Sequence, residues 1–189
     1  MTGVQTCALP IFNPYALLGG ITTLVLFFTH GVVFITLKTE GELKERARKL
    51  AIKSGLVTIV VAATFLVWTT IAFGSVLSGA VAVIAALALI TAYLLNLRGR
   101  EGWSFAFMSV TVATAVLSLF LALFPDVMPA SNNPAYSLTI ENASSSDYTL
   151  TVMTWTALIF MPVVLVYQGW TYWVFRKRVT RQSVLAAAH

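Results

Sequence analysis

Chemistry in a mostly apolar chain starts from whatever ionisable or metal-binding side chains its greasy segments keep, and here that is His30. It sits in a run of apolar and hydroxyl-bearing residues, about seven positions before a basic stretch that opens at Lys38. An imidazole in that setting suits a proton relay or an axial bond to a haem iron. The plainer reading is a histidine hydrogen-bonded to a neighbouring helix. Two-histidine ligation of a haem within this chain is not workable, because the other histidine, His189, is the last residue, at a frayed end. The lone cysteine, Cys7, excludes an intrachain disulfide and the cysteine-based zinc and redox patterns. The sequence shows no metal cluster, nucleophile–base pair or phosphate loop. Catalytic, cofactor-binding and metal-ligating residues are therefore assigned to none, and His30 stays the one polar candidate.

The elements that must position it follow from composition. Of 189 residues 58% are hydrophobic and 10% charged, with mean hydropathy +0.85. Soluble domains carry roughly 25% charge, so the chain is read as a membrane protein. The expected fold class is all-α, a polytopic transmembrane helical bundle of about five spans. These are placed at about 15–37, 54–73, 76–97, 104–124 and 150–175, each long enough at ~1.5 Å per residue to cross a ~30 Å hydrocarbon layer. The net charge of +5 and pI near 9.6 do not indicate nucleic acid, because the bases cluster at the ends of spans. Residues 1–11 have neither a basic n-region nor a continuous apolar core; they look like a non-native leader and are set apart from a helical domain at 12–179 and a tail at 180–189.

Asn13-Pro14 is a helix-start signal: the amide caps orphan N–H groups, and proline at the first helical position loses no bond. The charged run from Lys38 to Lys53 holds six of the twelve Lys and Arg. Thr39 and Glu42 have capping-box spacing there, and Glu42/Arg46 and Glu45/Lys49 are acid-first pairs four apart. The run reads as a solvated helical overhang leading into the second span, or else as a partner contact; Leu43, Ala47 and Leu50 form a thin apolar stripe suited to a membrane surface. Gly74-Ser75 closes a tight antiparallel hairpin, with Gly74/Ser78 and Ser75/Gly79 as small pairs that allow close helix approach. Residues 98–102 read as a short loop. Five spans put 38–53, 98–102 and the tail on one side of the membrane, and all twelve Lys and Arg fall there. That side is expected to be cytoplasmic and the 125–149 loop extracytoplasmic. Within the spans there is no Asp, Glu, Lys or Arg. Gln168 and Thr22, Thr23, Thr29, Thr154 and Thr156 are expected to bond between helices or to their own backbone, and Pro162 to bend the last span.

A set of stretches carries a resemblance. In order they are Phe12-Asn13-Pro14-Tyr15-Ala16-Leu17-Leu18-Gly19-Gly20 with His30-Gly31 beyond it, and Lys38-Thr39-Glu40-Gly41-Glu42-Leu43. Phe124-Pro125-Asp126-Val127-Met128-Pro129 and Ser137-Leu138-Thr139-Ile140-Glu141-Asn142-Ala143-Ser144 follow. The last runs from Pro162 through Tyr167-Gln168-Gly169-Trp170 to Arg176. From Phe12 to about Val179 the chain resembles the C-terminal half of subunit II of cytochrome bd-type quinol oxidases. The resemblance implies a bacterial inner-membrane subunit without haem of its own. Its partner, subunit I, would carry haems b and d, oxidise quinol and reduce dioxygen to water. This chain would then supply packing and support a proton path, in contact with lipid and with no nucleic acid. The acidic residues that the family is thought to use for proton entry lie in its other half, so none is carried over. The alternative from another class is half of an inverted-repeat transporter, against which stands the absence of intramembrane charge.

Overall fold

The computed structural model describes residues 13–128 and 136–176. The expected leader with Cys7, the tail at 180–189, and Lys177, Arg178 and Arg181 lie outside them. Among the described residues, five helices are long and apolar enough to cross a membrane. They are α1 (Pro14–Lys38), α2 (Glu42–Phe73), α3 (Val76–Leu97), α4 (Glu101–Leu123) and α5 (Asp147–Val174). Two short strands, β1 (Asp126–Met128) and β2 (Leu138–Thr139), pair antiparallel between α4 and α5 in sequence. The chain divides into two compact units, the first holding α1 to α4 up to Ala122 and the second starting at Leu123.

In the first unit α1 starts as its residues require: Asn13 Oδ1 accepts from the Tyr15 amide at 3.1 Å, with Pro14 in the first turn. Its end departs from the expected capping box. Thr39 is the C-cap of α1 and its hydroxyl donates back to the Ile35 carbonyl at 2.8 Å, so it is not available to start α2. The chain turns instead at Gly41, whose φ of 70° suits a residue without Cβ, and α2 begins at Glu42 with no side-chain cap. Glu42 and Arg46 pair as expected, whereas Glu45 and Lys49 do not close.

At 32 residues α2 is about 48 Å long, roughly 18 Å more than the hydrocarbon needs. Its first turns are therefore the expected overhang, continuous with the span. The apolar stripe is not one surface, however: Ala47 is buried, while Leu43 and Leu50 are exposed. The hairpin at Gly74 is present, and its small residues sit between the helices as expected: Ser78 is buried, and a Cβ on Gly79 would stand 3.8 Å from the Thr70 side chain of α2. Ser75 and Ser78 also form a reciprocal capping box that starts α3, and at the corner itself a Cβ on Gly74 would stand 2.4 Å from the Thr70 carbonyl oxygen of the preceding turn.

Within the first unit consecutive helices run antiparallel, as the contacts show. α1 meets α2 through Tyr15 on Thr69 (3.0 Å between hydroxyls), Gly19 on Phe65, and Thr29 on Thr58 (2.8 Å). α2 meets α3 where Tyr93 lies against Gly55, and α3 meets α4 where Ser104 Oγ donates to the Ala92 carbonyl at 2.8 Å. The core between them is Leu26, Ala62, Leu89, Ala92 and Met108. Alanine recurs at the buried positions Ala51, Ala62, Ala82, Ala85, Ala88 and Ala92, because in lipid helices associate by close van der Waals packing and small side chains permit it.

In the second unit the stretch from Ser137 to Asn142 is closed by its own bonds. Asn142 Oδ1 accepts from the Thr139 amide at 2.8 Å and Asn142 Nδ2 donates to the Ser137 carbonyl at 3.1 Å. Helix α5 then runs unbroken through Pro162.

Candidate functional site

The polar groups gather at the end of the first unit where α3 turns into α4. Helix α3 ends in a Schellman arrangement: the Gly99 amide donates to Asn96 and the Arg100 amide to Leu95, with Gly99 at φ 74°. Arg48 of α2 reaches across and donates to the Leu97 carbonyl at 3.0 Å. A cation on an exposed helix C-terminus meets the negative end of the dipole. A Cβ on Gly99 would stand 3.2 Å from that guanidinium, so glycine there serves both the backbone and the arginine.

Glu101 was expected in the loop. It is the first residue of α4, 5% exposed, and its carboxylate meets Lys44 Nζ at 3.0 Å. A carboxylate in the first turn is favoured by the helix dipole. The pair joins the overhang of α2 to the start of α4. Sequence reasoning missed it because the two residues belong to segments far apart in the chain and each reads as an ordinary loop charge. The one available signal was an acid placed directly before an apolar helix.

Directly beneath lies Asn96, 2% exposed, in a cavity it shares with Thr29, Gly55, Tyr93, Ser104 and Met108. A larger gap of about 90 Å³ sits deeper between the four helices. It is walled by Leu26, Phe65, Leu89 and Val112, and its threonines Thr22 and Thr111 turn their hydroxyls back to Leu18 and Phe107. It presents an apolar surface.

The structure places His30 on α1, with its ring stacked on Phe105 of α4 at 4.6 Å and 24°. This corrects the expected hydrogen bond to a neighbouring helix: the contact is ring on ring, and buried Nδ1 has no partner. Phe105 wins because it occupies the side of α4 facing α1, where Phe34 also meets it. A haem needs an imidazole nitrogen presented into a space for the macrocycle. Neither of these two cavities is lined by His30, and Phe105 covers one face of its ring.

The threonines behave as expected. Thr23, Thr154 and Thr156 donate to carbonyls four residues back, and Thr29 pairs with Thr58 across the helix interface. Thr58 is fully buried and also lies within bonding distance of the Val25 carbonyl, at 3.2 Å.

The family model for cytochrome bd terminal oxidase subunit II matches residues 1–175. The chain belongs to that family. It is 40% identical over 178 residues to the cytochrome bd ubiquinol oxidase subunit 2 of Bacillus subtilis, covering 90% of this chain and 52% of that one. It is 31% identical over 213 residues to the cytochrome bd-I ubiquinol oxidase subunit 2 of Escherichia coli K12, covering 95% and 56%. A probable cytochrome oxidase subunit 2 of Haemophilus influenzae is 28% identical over 195 residues, covering 86% and 52%. The chain spans about half the length of the curated relatives it matches. With five spanning-length helices and this family, it is a multi-pass membrane protein. In this subunit II family member the charged and amide groups described above cluster at the basic end of the first unit.

Proposed function

We propose that this chain acts as a haem-free membrane subunit of a cytochrome bd-type terminal oxidase, which couples quinol oxidation to reduction of dioxygen to water. The family match over residues 1–175 carries this reading and takes the place of the transporter half. Haems b and d and the quinol site belong to the partner, subunit I, whose cofactors supply the redox chemistry. The residues of this chain hold the helices beside it. Thr29 and Thr58 tie α1 to α2, while Arg48 and Lys44 tie α2 to the α3–α4 turn. Supporting proton delivery is the second part of the role. His30 is the polar group to probe for it, its ring packed by Phe105 and its Nδ1 buried.

The test is spectroscopic and respirometric. The chain purified by itself is expected to show no Soret band. Membranes containing it with its haem-bearing partner are expected to show quinol-driven oxygen uptake that disappears when this gene is deleted. Stoichiometric porphyrin on the isolated chain overturns the haem-free role, and uptake indifferent to the deletion overturns the subunit assignment.

Sidedness belongs to the same reading. The ends bearing Lys38 to Lys53, Arg98 and Arg100 face the cytoplasm of a bacterial inner membrane, and the 125–149 loop faces out, because translocating clustered bases is disfavoured. Alkaline phosphatase fused after Phe124 is expected to be active and the same fusion after Gly99 inactive. The reverse pattern would invert the topology.

A further inference from the structure

Asn96 presents a problem that the helices do not solve. It is 2% exposed, and its Oδ1 has no hydrogen-bond partner, although it sits at the polar end of a bundle where other buried polar groups are bonded. A buried amide oxygen without a donor is costly, and such atoms in native proteins usually meet an ordered water.

The space beside it is of the matching size. The cavity lined by Asn96, Thr29, Tyr93, Ser104 and Met108 has about 10 Å³ of room for the centre of a water-sized sphere, about what one molecule requires. The hydroxyl chemistry around it is that of acceptors. Ser104 has given its proton to the Ala92 carbonyl, and the Thr29 oxygen is engaged with Thr58; each keeps lone pairs. What is missing is a two-proton donor. No carboxylate lines the cavity, so a metal cation there would lack a counter-charge in a low-dielectric setting.

We infer that this cavity is a binding site for one structural water, which donates to Asn96 Oδ1 and bonds onward to the hydroxyl-bearing wall of the cavity. Held there, the water couples α3, through Asn96, to α1 and α4, through Thr29 and Ser104. It extends the Thr29–Thr58 bond into a polar track leading from the turn at Gly99 toward the Val25 carbonyl.

Radiolytic hydroxyl labelling of the purified membrane complex reads this directly, since a buried side chain is oxidised when a water lies next to it. Met108, 2% exposed, and Tyr93 are expected to be labelled in the wild-type protein, and several-fold less in Asn96→Leu, with Met161 on α5 unchanged as the internal control. A density map of the wild-type complex, which needs no variant to fold, is expected to show a peak 2.6–3.2 Å from Asn96 Oδ1, the usual hydrogen-bond range. An empty cavity in the map, or Met108 labelling unchanged in Asn96→Leu, overturns the site. Labelling of Met108 that changes when sodium is replaced by choline would replace the water with a cation and overturn it equally.

Discussion

Lys44→Met is expected to destabilise the protein more than Glu101→Gln does, although both break the same ion pair. The difference comes from exposure. The Lys44 side chain is 25% exposed and can carry its ammonium out to water, whereas Glu101 is 5% exposed and cannot. Removing one partner of a buried pair costs about 3–5 kcal/mol, mostly through the charge left behind. The partial exposure of Lys44 and the further contact that Glu101 keeps offset part of this, so about 2 kcal/mol is expected for Lys44→Met and about 1 kcal/mol for Glu101→Gln. Combining the two, Lys44→Met with Glu101→Gln, is expected to recover part of the loss, because no buried charge then remains. Unfolding free energies of the four proteins in mixed micelles supply the cycle. Single variants that are both neutral, or effects that simply add, would show that the pair does not hold the overhang of α2 to α4.

Gly74→Ala is expected to open the α2–α3 hairpin. The new Cβ would stand 2.4 Å from the Thr70 carbonyl oxygen and 2.7 Å from its Cα. Both are backbone atoms, so no side chain can swing aside and the turn itself must move. Overpacking of this kind costs about 1–3 kcal/mol. The control is Gly31→Ala on α1, where a Cβ meets nothing within 4 Å. There the substitution removes a flexible residue from a helix interior and is expected to be neutral or stabilising by up to about 1 kcal/mol. Equal behaviour of the two variants would mean that the hairpin does not depend on glycine at its corner.

The two predictions differ in how far they were visible beforehand. Gly74 is legible because Gly-Ser between two apolar runs already marks a tight turn, although the atom it makes room for is not. Asn13-Pro14 and Thr22, Thr23, Thr154 and Thr156 are legible for the same reason: their partners lie two to four residues away, within reach of one helical turn. Thr39 shows the limit of local reasoning, since two local partners competed. The carbonyl of Ile35 took the hydroxyl that the capping box needed. The 98–102 stretch shows another, because an acid at the edge of a loop and an acid opening a helix have the same local sequence.

Composition, the length of the apolar runs and the position of every base were enough to determine a membrane protein of five spanning-length helices with its charges at their ends. Those properties depend on transfer from water to lipid, which each residue undergoes regardless of its distant neighbours. The burial of Glu101 beside Lys44, the reach of Arg48 to Leu97, the stack of His30 on Phe105 and the orphaned oxygen of Asn96 were decided by tertiary structure alone. Each depends on which faces of antiparallel helices meet, and at what height along their axes. Packing of whole surfaces sets that register, and no stretch of a single helix contains it.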